Sequence, residues 1–132
     1  DEAEQMGMPV ERARTLLEMG EAAGDAALVD EAIRAFEHTG ARIDLAFALH
    51  ARAILASGGA AALERYDAAI AALDAVGAQY RLGRALTERA QLHRLSGRPV
   101  DARADLAAAC ARFIAAGAER AEVEQLSAAG GV

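Results

Sequence analysis

The chain has 132 residues and 13.7 kDa, enough for one domain with a real core and too little for a catalytic domain beside a second folded unit. Apolar residues fill 54% of positions but aromatics only 4%, and alanine supplies most of the apolar share, which favours closely packed helices and excludes an all-β fold. The 14 basic residues, every one an arginine, face 20 acidic ones and leave a net charge of -6 that repels a phosphate backbone, while the single cysteine excludes a disulfide scaffold.

In chain order, apolar spacing and turn residues predict seven helices, over roughly 9–20, 26–39, 42–57, 60–76, 79–96, 99–116 and 118–129. Gly20 to Gly24 separates the first two. Leu45, Leu49, Ala53 and Ala56 form the apolar stripe of the third, which ends before Ser57-Gly58-Gly59. Leu82, Ala85, Leu86, Ala90 and Leu92 do the same for the fifth. Pro99 can open the sixth because its missing N–H needs no partner there, and Gly117-Ala118 is read as the turn before a seventh. No stretch of about 18 apolar residues runs without charges, so no membrane span is expected. The expectation is one domain over 1–132, cytoplasmic, and part of a longer protein because the first residue is Asp1.

The helices repeat. Ala32-Ile33, Phe36, Gly40-Ala41 recurs as Ala69-Ile70, Leu73, Gly77-Ala78 and as Ala109-Cys110, Phe113, Gly117-Ala118, at offsets of about 37 and 40 residues. Where paired helices cross closely only a methyl group fits, which places Ala32, Ala53, Ala69, Ala90 and Ala109 at the crossings. Phe36, Leu73 and Phe113 are expected to pack between successive hairpins, because one hairpin cannot bury its apolar face alone. Asp30-Glu31 is assigned to the first turns of its helix, where negative charge complements the dipole.

These residues carry a resemblance. Leu16, Met19-Gly20, then Asp30-Glu31-Ala32-Ile33 and Phe36 resemble the tetratricopeptide repeat, and Tyr66-Asp67-Ala68-Ala69-Ile70 looks like the same second-helix signature. The run from Arg84-Ala85-Leu86 through Leu92, Gly97-Arg98-Pro99, Ala102-Arg103, Leu106 and Phe113 to Gly117-Ala118 is similar to the degenerate repeats of large bacterial signalling ATPases. These include LuxR-type transcriptional regulators. The resemblance implies an all-α fold, a right-handed superhelical stack of antiparallel helix hairpins, TPR-like, with about three repeats plus a C-terminal helix. It also implies a regulatory parent. Arg52 and Arg89 depart from the pattern, since that repeat commonly carries leucine there.

No catalytic constellation is legible. Cys110 occupies the register of Ile33 and Ile70 and is read as a small buried residue. His38, His50 and His93 lie on three different helices without metal-ligand spacing, and Gly58-Gly59 lacks the lysine or serine of a phosphate loop. The paired acids Asp30-Glu31, and Glu122 with Glu124, have no apolar pocket to tune them and read as solvated surface. The chain is therefore expected to be no enzyme, with no catalytic residue, metal or cofactor.

One surface stripe has functional promise. Arg84, Thr87, Gln91 and Arg94 step by three or four along one helix, and in the resembled repeats the matching face lines a concave groove. The 37-residue offset brings Phe47, His50, Ile54 and Ser57 to the same face of the preceding repeat. Such a groove suits a protein or peptide with apolar anchors and an acidic group, or another domain of the same chain. Direct nucleic-acid contact is not expected. The alternative is a domain sensing a small-molecule inducer, as some relatives in the resembled family do, for which only Tyr66, Tyr80, Phe36, Phe47 and Phe113 supply aromatic lining. A third expectation is a homodimer through exposed end repeats, around Leu16 and Leu17 or Val123 and Leu126.

Overall fold

The computed structural model describes the backbone of residues 7–130, with the side chains of 122–124 and 126–130 left aside. Six α-helices make up this part and no strand occurs among the described residues: α1 (Val10–Ala23), α2 (Ala26–Thr39), α3 (Arg42–Ile54), α4 (Gly59–Ala75), α5 (Gln79–Leu95) and α6 (Pro99–Gly130). The chain divides into two compact units, Asp1–Val76 with α1 to α4 and Gly77–Val132 with α5 and α6.

Local chemistry sets the helix ends. α1 runs past Gly20 and stops at Gly24, whose φ of 65° sends its N–H back to the carbonyls of Glu21 and Gly20. The carboxylate of Asp25 then caps α2, accepting from the Ala27 N–H at 3.0 Å and the Leu28 N–H at 3.4 Å. Asp25 thus serves the dipole end that had been expected of Asp30-Glu31, which lie a turn further in. Gly20 is not a turn residue. It is buried inside α1, and a Cβ added there would meet Val29 Cγ2 at 2.7 Å, so its lack of a side chain lets α1 and α2 approach.

In the first unit α1 packs on α2, α2 on α3 and α3 on α4, with α1 also touching α3. Its core holds Phe36 and Val29 among the smaller Ala13, Ala32, Ala35, Ala48 and Ala51. Met8 and Leu17 belong to the same cluster. Each large side chain removed completely from water stabilises the fold by about 1.5–3 kcal/mol, and Phe36 and Leu73 are both 0% exposed. Ala32, Ala53 and Ala69, expected at helix crossings, are buried. Leu17 is buried too and Leu16 is half-buried, so Leu17 offers no edge for pairing between chains. Val123 and Leu126, the other half of that expectation, lie outside the described residues.

The second unit is one hairpin. α5 lays Leu82, Ala85, Leu86 and Ala90 against Ala102 and Ala109 of α6. Three expectations need correction here. Phe113 does not fill a core between hairpins: it is 37% exposed and lies over Gly83, where a Cβ would come within 2.7 Å of its ring. Cys110 is exposed, unlike the half-buried Ile33 and Ile70 whose register it shares. The expected seventh helix is absent as a separate element, because α6 continues from Pro99 to Gly130. Gly117 does not take a positive φ, and no proline follows it. The helix formers Ala118, Glu119, Arg120 and Ala121 carry the helix through a glycine that costs about 1 kcal/mol.

Candidate functional site: an arginine stripe on α5

The α5 residues Arg84, Thr87, Gln91 and Arg94 are all exposed along one stripe. Their hydrogen bonds are local. The Thr87 hydroxyl donates to the Gly83 carbonyl at 2.9 Å, and Arg94 Nη2 donates to Gln91 Oε1 at 3.1 Å. Arg84 Nη2 stands 3.7 Å from Glu88 Oε2, an exposed pair one turn apart that is worth a few tenths of a kcal/mol (roughly 0.3–0.5). Among the described residues neither Arg84 nor Arg94 enters a long-range ion pair.

The same stripe continues N-terminally to Tyr80, one turn before Arg84, whose side chain is also exposed. The sequence reading names Tyr80 only as an available aromatic and not as part of this stripe, although the signal is present as the spacing 80, 84, 87, 91, 94. Tyr80 meets Phe113 with ring centroids 5.7 Å apart and planes tilted by 56°. Beside the pair, Arg112 Nη1 donates to Gln79 Oε1 at 3.3 Å and ties α6 to the start of α5. Tyr80, Phe113, Ala116, Gly117 and Arg120 together line a groove of about 680 Å³.

The three α3 candidates stand differently. Ile54 is exposed at 46%, Phe47 is half-buried, and His50 is fully buried, edge-on to Tyr66 with centroids 6.3 Å apart. A side chain with no solvent-exposed surface does not line a docking face, so His50 leaves the set of surface candidates. The α3 residues belong to the first unit and the α5 residues to the second.

The two arginines that depart from the repeat pattern are built into helix packing. Arg52 Nε donates to Asp30 Oδ1 at 2.9 Å, joining α3 to α2. Arg89 donates from Nε and Nη2 to both oxygens of Asp105, each at 2.8 Å, joining α5 to α6. His93 Nε2 lies 3.5 Å from Asp105 Oδ2, while its Nδ1 is buried with no hydrogen-bond partner. Asp105 is only 7% exposed, so this cluster is a helix-to-helix tie in the interior of the hairpin.

On the first unit Arg14 makes a two-pronged contact with Asp44, at 2.8 and 3.0 Å. The hydrogen bonds that Arg14 donates to Asp44, and then the Asp44 charge, raise the Arg14 guanidinium above its ordinary range. A raised arginine keeps its contribution at every pH below its unfolded value and loses it only as pH climbs through the folded one. Neutral-range pH dependence therefore does not arise from Arg14.

Among the described residues no three of the His, Cys, Asp and Glu side chains gather as a metal site, and no helix is long and apolar enough to cross a membrane. The carboxylates of Glu122 and Glu124 lie outside the described residues. No family model, no curated protein and no solved structure matches the chain.

Proposed function

We propose that the chain is a non-catalytic interaction module, a TPR-like stack of helix hairpins that docks an acidic protein or peptide, or an acidic part of its own parent chain. Supporting the architecture are the recurring buried alanines of α2, α3, α4 and α5, and the hairpin contacts of α1 with α2, α3 with α4 and α5 with α6. The parent is read as a cytoplasmic bacterial signalling or transcriptional regulator, on the resemblance of Arg84 to Ala118 alone. The single observation that carries the docking reading is the exposed stripe Arg84, Thr87, Gln91, Arg94, whose two guanidinium groups meet short-range neighbours on α5 among the described residues.

Charge distribution favours an acidic partner. The segment Gly77–Val132 holds eight arginines against six acids, although the whole chain carries -6. Fluorescence anisotropy with a panel of acidic decapeptides tests the reading. Binding is expected to weaken at least tenfold in the Arg84→Glu/Arg94→Glu double variant and to fall with added salt. Equal binding by the variant removes these residues from the site.

Inducer sensing is the second reading, and the groove beside Tyr80 and Phe113 is the observation in its favour. A native-state ligand must raise the melting temperature, so thermal-shift screening with small metabolites tests it directly.

A further inference from the structure

The groove and the stripe are continuous in chemistry. Tyr80 belongs to both: it stands one turn before Arg84 on α5 and forms a tilted aromatic pair with Phe113 of α6. The Phe113 ring is held against α5 because Gly83 has no side chain, so it forms a wall. One turn along α6, Ala116 and Gly117 contribute almost no bulk, and a Cβ built on Gly117 finds no atom within 4 Å. Arg120 also lines the groove. The result is a mainly apolar slot of about 680 Å³ lined by two aromatics, two small residues and a cation.

A helix rises 1.5 Å per residue, so Arg84 lies about 6 Å and Arg94 about 21 Å along α5 from Tyr80. A ligand the size of the slot reaches Arg84 but not Arg94. An extended peptide, at about 3.3 Å per residue, covers the 15 Å or so between the two arginines in four to five residues. We propose that the slot is the anchor pocket of an extended acidic peptide. An aromatic or branched apolar side chain sits between Tyr80, Phe113 and Ala116. An acidic residue about two positions away pairs with Arg84, and another four or five positions further pairs with Arg94. Arg120 takes a carboxylate on the other side of the anchor. This inference rests on the docking reading of the α5 stripe and adds to it the pocket that selects the partner.

The test uses the full 132-residue chain and fluorescein-labelled dodecapeptides carrying one Phe or Leu anchor and two Glu at these spacings, in both chain directions. Parallel peptides replace the anchor by Ser, or both Glu by Gln. N-acetyl-phenylalanine serves as the small-molecule arm. Anchored acidic peptide is expected to bind at least tenfold more tightly than either control peptide, and Phe113→Ala to abolish the anchor's advantage. Ala116→Leu fills the slot with a good helix former and is expected to do the same, so the test survives a poorly folded Phe113 variant. Binding that needs Arg84 and Arg94 but ignores the anchor and Ala116→Leu overturns the pocket and leaves the docking reading standing. Failure of every acidic peptide to bind overturns both. N-acetyl-phenylalanine matching the peptide overturns the extended occupant and assigns the slot to a small carboxylate.

Discussion

Arg89 on α5 grips both carboxylate oxygens of Asp105 on α6, each at 2.8 Å, in a hairpin whose buried apolar residues are mostly leucine and alanine. Removing one member of a buried pair strands the other, which costs about 3–5 kcal/mol, whereas replacing both by apolar residues is often neutral. Arg89→Leu and Asp105→Leu should therefore each destabilise the chain by roughly that amount in urea unfolding. The double variant should recover most of the loss. Additive losses would mean that the two residues act separately.

The glycines of the helices separate into two kinds, and alanine substitution should distinguish them. At Gly20 a Cβ would meet not only Val29 Cγ2 at 2.7 Å but also backbone atoms of Asp25 and Val29 at 3.1 Å, which cannot swing aside. Gly20→Ala should lower stability by about 1–3 kcal/mol despite alanine's better helix propensity. Gly117→Ala meets open space within α6 and should raise stability by up to about 1 kcal/mol. Thermal melts of the two variants moving in the same direction would contradict this division.

Phe36 and Phe113 hold matching places in the sequence pattern but not like environments. Phe36 is 0% exposed in the first unit, and Phe36→Ala should cost about 3–5 kcal/mol through lost contacts and a cavity. Phe113 is 37% exposed and rests on one helix face, so Phe113→Ala should cost well under half as much. Chemical denaturation curves compare the pair directly, and equal losses would place Phe113 in a core.

How far the fold could be read from residues depends on which physical signal each element carried. Apolar spacing located all six helices, and Pro99, Gly24 and Gly40 stand at helix boundaries for the expected reasons. A lone glycine was the ambiguous signal. Gly20 and Gly117 were both read as turns, yet one permits close packing and the other rides inside a helix favoured by its neighbours. Register similarity also misled where the surroundings changed: Cys110 copies half-buried positions and Phe113 buried ones, yet both are exposed on a two-helix unit with fewer surfaces to cover them. Of the candidate site, the stripe on α5 was legible because exposure follows helical spacing. His50 was misplaced because spacing alone does not tell a polar surface residue from a polar core residue. The groove was invisible, since it needs Phe113 brought to Tyr80 from 33 residues away.

The docking claim is tested most directly by titrating an anchored acidic dodecapeptide into isotopically labelled protein and following the backbone amide resonances. The account predicts saturable shifts concentrated at Tyr80, Arg84, Thr87, Gln91, Arg94 and the α6 turn from Phe113 to Gly117. Shifts confined to α1 and α2, or none at peptide excess, would contradict it.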